Sequence, residues 1–299
     1  MENYKMHLTT VVNHNPDIQA AWFDEPVNPR RLIVIIDANA APHRIVTPPE
    51  IRGLSIEFIP TDRIQTLRTK EVTRHATNEH QKCQDEPIKM GTQIQPEGAN
   101  WLGTAGSPVS WIDSQKTRHW GMLSNWHVLA DGDERVGRTC HQPTTTRPAC
   151  GQLAAWSTIR RTGANRVDAA IADSLVDGFH TVAGEILGLG VLGAVPLTAA
   201  VGLAVAKSGR TTGVTRGTCI AVGASVQVGY GDFVATFEDQ DIYSGDSEEF
   251  SAPGDSGSLI VRATDNAPTS LLFAGSSEIT IGNPIRHVSS LFNLVWPFN

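Results

Sequence analysis

Beyond about residue 90, the apolar residues of this sequence come in runs too short for helices, each closed off by turn residues. Leu102 to Gly106, Val226 to Val228, Phe233 to Phe237 and Leu271 to Ala274 are the clearest, and several are rich in β-branched or aromatic side chains. Such runs predict many short strands, as in a sandwich or a barrel, and argue against a helical bundle. The 27 glycines and 17 prolines supply the turns this requires. Only Ile285 to Leu294 reads as a convincing late helix.

The first part of the chain is patterned differently. Leu32 to Ile36 and Leu54 to Ile59 are compact β-like runs, and Pro42 with Thr47, Pro48 and Pro49 prevents a long helix between them. A small α/β unit is expected there. Arg68 to Lys89 is polar and charged without an apolar period, so it reads as a linker. The expected division is therefore an accessory unit with its linker over 1–87 and a main domain over 88–299. The 21-residue uncharged run from Ile186 to Ala206 is long enough to span a membrane. Five interruptions, Gly188, Gly190, Gly193, Pro196 and Gly202, point instead to a buried strand pair with a glycine-rich connection.

Composition narrows the partners. With 24 Lys and Arg against 31 Asp and Glu, the formal charge is −7, which argues against a phosphate-binding surface and so against nucleic acid. The charged fraction, 18%, lies below the roughly 25% of an average globular chain and leaves ample material for a core. Met1 to Met6 lacks a following apolar segment of signal-peptide type, so a cytoplasmic location is expected. Cys83, Cys140, Cys150 and Cys219 are too few for a disulfide framework and are expected to be reduced. Cys140 and His141 with Cys150 lack the paired spacing of a zinc site, so neither metal nor other cofactor is expected.

Chemistry concentrates in Ala252-Pro253-Gly254-Asp255-Ser256-Gly257-Ser258. A serine between glycines on a tight turn can present its hydroxyl while the backbone N–H groups of Gly254 and Ser256 converge where an oxyanion would form. A hydroxyl is a poor nucleophile at neutral pH without a neighbouring imidazole, itself oriented by a carboxylate. Of the ten histidines, His127 in Leu123-Ser124-Asn125-Trp126-His127-Val128-Leu129 is best placed, at the end of an apolar strand. Asp168 stands alone in the small, apolar run Val167 to Ala172, and a buried acid requires a designated partner.

The Gly-Asp-Ser-Gly motif and the chain order His127, Asp168, Ser256 resemble the chymotrypsin/trypsin family of serine proteases. Lys207 to Gly213 resembles the Gly-x-Thr-Thr-Gly strand opening of its bacterial streptogrisin branch. Gly103 to Gly106, Ser124-Asn125, Gln142-Pro143 and Val167 to Ala170 resemble the intracellular trypsin-like branch that includes the plant narrow-leaf protein. The resemblance covers about residues 88–299. It implies a mainly β fold of two packed six-stranded antiparallel barrels, about 88–185 and about 186–299, preceded by the small α/β unit. It also implies a serine endopeptidase working through an acyl-enzyme on protein substrates. Ser256 would be the nucleophile, His127 the general base and Asp168 its orienting carboxylate, with Gly254 and Ser256 as oxyanion donors.

Departures from the family pattern set further expectations. Trp126 stands where a small residue or Asn is usual and is expected to crowd the cleft. No Ile-Val-Gly-Gly activation site opens the domain, so Asp255 needs a partner other than a new N-terminus. Phe250 and Ser251 on one wall of the specificity pocket, with Ala274 and Gly275 on the other, imply a small or apolar residue at the cleavage site. Eight acids from Asp232 to Asp255, without a Lys or Arg between Arg216 and Arg262, read as a solvated acidic loop that could alternatively attract basic substrates. Residues 1–87 are expected to regulate access, or to engage a regulatory partner or a second copy of the chain. A latent protease-fold scaffold is the alternative to an enzyme. An α/β-hydrolase fails on its elbow, since Ser258 stands where the last Gly belongs, and on triad order. A P-loop at Lys207 fails because Ala206 precedes the lysine.

Overall fold

The computed structural model describes residues 2–25, 28–39, 48–51, 53–70, 78–84, 87–175, 184–193 and 195–296. Pro42, Thr47 and part of the expected linker lie outside them. Strands dominate, as the short apolar runs predict.

In the C-terminal half, six antiparallel strands close on themselves. Ala204–Gly209 pairs with Gly213–Gly229, which pairs with Val234–Gly245. Thr280–Pro284, Pro268–Gly275 and Leu259–Arg262 follow, and the last returns to Ala204–Gly209. Closure seals a core that includes Val205, Phe237, Ile242, Leu259, Leu271 and Ile281. The helix Ile285–Phe292 follows and buries Ile285, Val288 and Phe292.

The first barrel is built from Thr92–Pro96, Thr139–His141, Ala149–Trp156, Ala170–Ser174, Arg118–Ser124, Ser107–Ile112 and Gly103–Ala105. The last two are one strand bent at Gly106. Its first part pairs with Thr92–Pro96 and its second with Arg118–Ser124, which closes a six-stranded ring. Gly106 has a specific reason to be glycine, because a Cβ there would lie 1.8 Å from the carbonyl oxygen of Gly257. That close approach brings the two barrels together beside the serine turn.

The N-terminal residues extend the second barrel's sheet. Helix Glu2–His14 packs Leu8, Val11 and Val12 with Ile18, Ala21, Leu32 and Val34. Strand Ile18–Phe23 runs antiparallel to the long Gly213–Gly229 strand, with Ala20 opposite Val226. Arg31–Asp37 pairs with it, and Ser55–Thr61 pairs in parallel with Arg31–Asp37. The residues read as a linker are anchored as well. Thr69 pairs with Leu102, His80 Nδ1 meets the Gly91 carbonyl at 2.9 Å, and Gln84 N donates to Gln142 at 2.8 Å.

Two expectations require correction. The run Ile186 to Ala206 is not a buried strand pair. It begins with a two-residue ladder, Glu185–Ile186 against Gly190–Val191, and leaves Val191, Val195 and Val201 at 55–71% exposure before the barrel strand starts at Ala204. Its glycines sustain turns more readily than strands. No helix among the described residues is long and apolar enough to cross a membrane. Nor do the acids form one solvated loop. Asp232 pairs with Arg161, Glu238 with Arg166, Asp239 with Arg286 and His287, and Asp255 with Lys207, because these acids are spread over separate turns and one barrel strand.

Asp241 is the exception among buried acids. Its Oδ2 accepts from Ser270 Oγ at 2.7 Å, whereas Oδ1 has no hydrogen-bond partner. Burial pushes its carboxyl up to about 6, against the lowering effect of Ser270. Because the folded value exceeds the unfolded one, this residue favours folding below about pH 4 and loses that contribution as pH rises through 6. Asp241→Asn is expected to raise stability at pH 8 by about 2 kcal/mol. Paired thermal melts from pH 4 to 8 should show the gain growing across that window.

Candidate active site

Each chemical group arrives at the barrel junction on a different element. Strand Arg118–Ser124 delivers the chain into the short helix Trp126–Leu129, whose four residues are buried. His127 lies on that turn. Asp168 precedes strand Ala170–Ser174. Its backbone N–H donates to Asn283 Oδ1 at 3.0 Å, and its carbonyl accepts from Asn125 Nδ2 at 2.8 Å. Ser256 sits on the turn before Leu259–Arg262, with Gly254 at φ +110°. A Cβ at Gly254 would fall 2.2 Å from Thr211 Oγ1, so glycine is needed there for space as well as conformation.

The three side chains form one hydrogen-bonded line. His127 Nδ1 lies 2.6 Å from Asp168 Oδ2, and His127 Nε2 lies 2.8 Å from Ser256 Oγ. The His127 backbone N–H also donates to Asp168 Oδ1 at 3.3 Å. A fourth member was not legible in the sequence: Tyr230 Oη donates to Asp168 Oδ2 at 2.6 Å. Burial, and next the Asp168 charge, hold the Tyr230 phenol well above its usual range, so it stays a donor. Nothing in Gly229-Tyr230-Gly231 signals this role. The carboxylate thus has donors on both oxygens although it is fully buried.

Trp126 does not crowd this line. Its indole N–H is held by Glu134 at 2.6 Å, and its ring packs 5.9 Å from that of Tyr230. The N–H groups of Gly254 and Ser256 do converge on one point, and that point is occupied by the carbonyl oxygen of Leu67, which Ser256 N reaches at 3.3 Å. Around the Leu67 side chain the fold gathers Phe250, Tyr243 and Leu272, while a Cβ at Gly275 would come within 3.1 Å of Leu67 Cδ1. Ser251 Oγ meets Thr280 at 2.5 Å, and Ala274 pairs with Thr66. The four wall residues read from sequence therefore lie around one place. Beside it opens a cavity of about 440 Å³ lined in part by Asp246, Glu248, Glu249 and Glu278.

Asp255, which needed a partner, has an internal one. Lys207 Nζ lies 3.3 Å from its Oδ2, with both side chains fully buried. Asp255 Oδ2 also accepts from Thr212 Oγ1 at 2.7 Å, and Oδ1 from Thr211 N at 2.8 Å. Burial pushes the Asp255 carboxyl up, but Lys207 and these bonds outweigh it and hold the group below the usual carboxylate range. Burial likewise lowers the Lys207 ammonium, partly offset by Asp255. The pair fixes the serine turn without any chain terminus. Removing one member leaves a buried charge, which typically costs about 3–5 kcal/mol. Lys207→Met is expected to lower the melting temperature by about 6–20 °C at pH 7, read by calorimetry.

All four cysteines are unpaired thiols. Cys150 Sγ faces the Cys140 carbonyl, and His141 Nδ1 the Arg147 carbonyl. No His, Cys, Asp and Glu cluster suited to a metal occurs among the described residues.

Two closed six-stranded barrels with His127, Asp168 and Ser256 meeting at their junction have the chymotrypsin-like architecture. Within that class, the family described as the Nal1 C-terminal domain matches residues 164–280, most of the second barrel. Among solved structures, the chain is similar to a glutamic acid specific serine protease that utilizes a histidine triad in substrate binding. Identity is 22%, the TM-score 0.49, and coverage 69% of this chain and 98% of that one. It is also similar to a Cellulomonas bogoriensis chymotrypsin, at 20%, 0.45, 71% and 99%. Alpha-lytic protease homolog N4 gives 18%, 0.48, 69% and 97%. No curated protein matches the sequence.

Proposed function

We propose that this chain is a serine endopeptidase that cleaves protein substrates through an acyl-enzyme. The observation that carries the reading is the unbroken line Asp168, His127, Ser256, ending where two backbone N–H groups converge. In this reading His127 Nε2 takes the Ser256 proton as Oγ attacks a carbonyl carbon, and the oxyanion is received by Gly254 and Ser256 N–H. His127 then protonates the leaving amine. Water completes the cycle by the reverse sequence, and no cofactor is required.

A second reading is favoured by a specific observation. His127, Asp168 and Ser256 are all at 0% exposure and the oxyanion position is filled, as in a latent module that binds without turning over. A fluorophosphonate separates the two, since it needs both an activated serine and access to it. Stoichiometric labelling mapped to Ser256, in the wild type or after Leu67→Asp frees the cleft, supports the enzyme. A folded protein inert in both forms supports the latent module.

A further inference from the structure

Residues 64–69 run through the cleft as an extended strand touching both barrels. Gln65–Thr66 pairs antiparallel with Pro268–Gly275, Thr66 opposite Ala274 and Gln65 opposite Gly275. Leu67 N–H continues the ladder to the Phe273 carbonyl at 3.4 Å, and the Leu67 carbonyl accepts from Gly254 N and Ser256 N. One residue past the next peptide bond, Thr69 exchanges two backbone bonds with Leu102 of the first barrel, at 3.1 and 2.7 Å. The Leu67–Arg68 bond is thereby suspended between the barrels at the serine.

The side chains are also accommodated. Leu67 is 5% exposed within an apolar cluster that includes Phe250, Tyr243, Ile260 and Leu272. Arg68 donates to the His127 carbonyl at 3.0 Å, pairs with Asp131, and lies 4.5 Å over the Trp101 ring. This constellation has a carbonyl in the oxyanion position, a paired strand before it, a second pairing after it and a filled side-chain pocket. It is what a bound peptide substrate of this site would present.

We propose that Leu67–Arg68 is a self-cleavage site, an inference that rests on the endopeptidase reading and names its substrate class. Ser256 Oγ adds to the Leu67 carbonyl carbon while its proton passes to His127 Nε2. The C–N bond to Arg68 breaks, and the same proton goes to the Arg68 nitrogen, which becomes a free amino terminus. A water molecule then hydrolyses the Leu67 ester, giving a Leu67 carboxylate and restoring Ser256. Both pieces stay together, because strand Ile18–Phe23 remains paired with Gly213–Gly229. An external substrate takes the same seat: a leucine-sized aliphatic residue before the cut and a basic residue facing Asp131 after it.

The test is time-resolved intact-mass spectrometry on the full chain at neutral pH, with wild type, Ser256→Ala and Leu67→Asp. A fluorogenic peptide spanning Ile64 to Thr69 and fluorophosphonate labelling are run on the same samples. Wild type is expected to yield one fragment ending at Leu67 and one beginning at Arg68, co-eluting under native conditions, at a rate unchanged by 100-fold dilution. Ser256→Ala should stay intact, and Leu67→Asp should be cut at least 100-fold more slowly. Wild type that remains whole while it, or Leu67→Asp, turns over the peptide or takes the label would overturn self-cleavage and leave the endopeptidase standing. Absence of cutting, turnover and label in every form overturns both. Cutting that persists in Ser256→Ala assigns the event to another protease and overturns the proposal.

Discussion

Peptide hydrolysis by the Ser256→Ala protein is expected to fall by about 10⁶-fold, to the level that oxyanion donors and binding alone sustain. The substitution removes only Oγ and its bonds to His127 Nε2 and the Phe273 carbonyl. The Ser256 N–H is untouched, as are Asp168, Tyr230 and the Lys207–Asp255 pair beneath the turn. Stability should therefore change by no more than about 1 kcal/mol, since one modest hydrogen-bond network is shortened without opening a large cavity. The check is kcat on a leucine-containing peptide beside a thermal melt. Full hydrolysis by a well-folded Ser256→Ala protein would refute the assignment of the nucleophile.

Asp168→Asn is expected to cost about 10⁴-fold in kcat while leaving the fold intact, and the hydrogen-bond pattern says why. An amide at this position has one accepting and one donating end. If its oxygen faced His127 Nδ1, its NH₂ would oppose the His127 backbone N–H that now donates to Oδ1. Turned the other way, the oxygen accepts that N–H, and the NH₂ donates both to His127 Nδ1 and to Tyr230 Oη, whose hydroxyl can rotate to accept. The second arrangement sets no two donors against each other, so it should prevail. It protonates Nε2, pointing a hydrogen at Ser256 and abolishing the base. Tyr230 thus makes the wrong tautomer easy to accommodate. Proton NMR of the imidazole alongside kcat would detect the switch, and a loss below tenfold would count against the assigned role of Asp168.

What the sequence disclosed was what side chains disclose. Short apolar runs foretold the strands, and glycines around a serine foretold the turn, because each reflects a local steric or solvation requirement. His127 and Asp168 were visible as polar groups set in apolar surroundings. Tyr230 was not, since an aromatic residue between glycines has many uses and its partner lies 62 positions away. Leu67 escaped for a deeper reason: its decisive contacts are made by backbone N–H and C=O groups, which every residue carries. A stretch of polar residues without period reads as a linker whether it is solvated or laid along a sheet edge. The pairing of Ile18–Phe23 with a strand some two hundred residues later leaves no local trace either.

That last pairing orders events in time. Thr9 meets Ser225 across 216 residues of chain, and the segment that fills the cleft follows directly from the same N-terminal strands. At synthesis rates of about 5–20 residues per second, the N-terminal strands wait roughly 10–40 s for their partner to leave the ribosome. Contacts of such high sequence separation form late, after the loop between them has been closed. The first barrel can therefore assemble on the nascent chain before Ser256 exists.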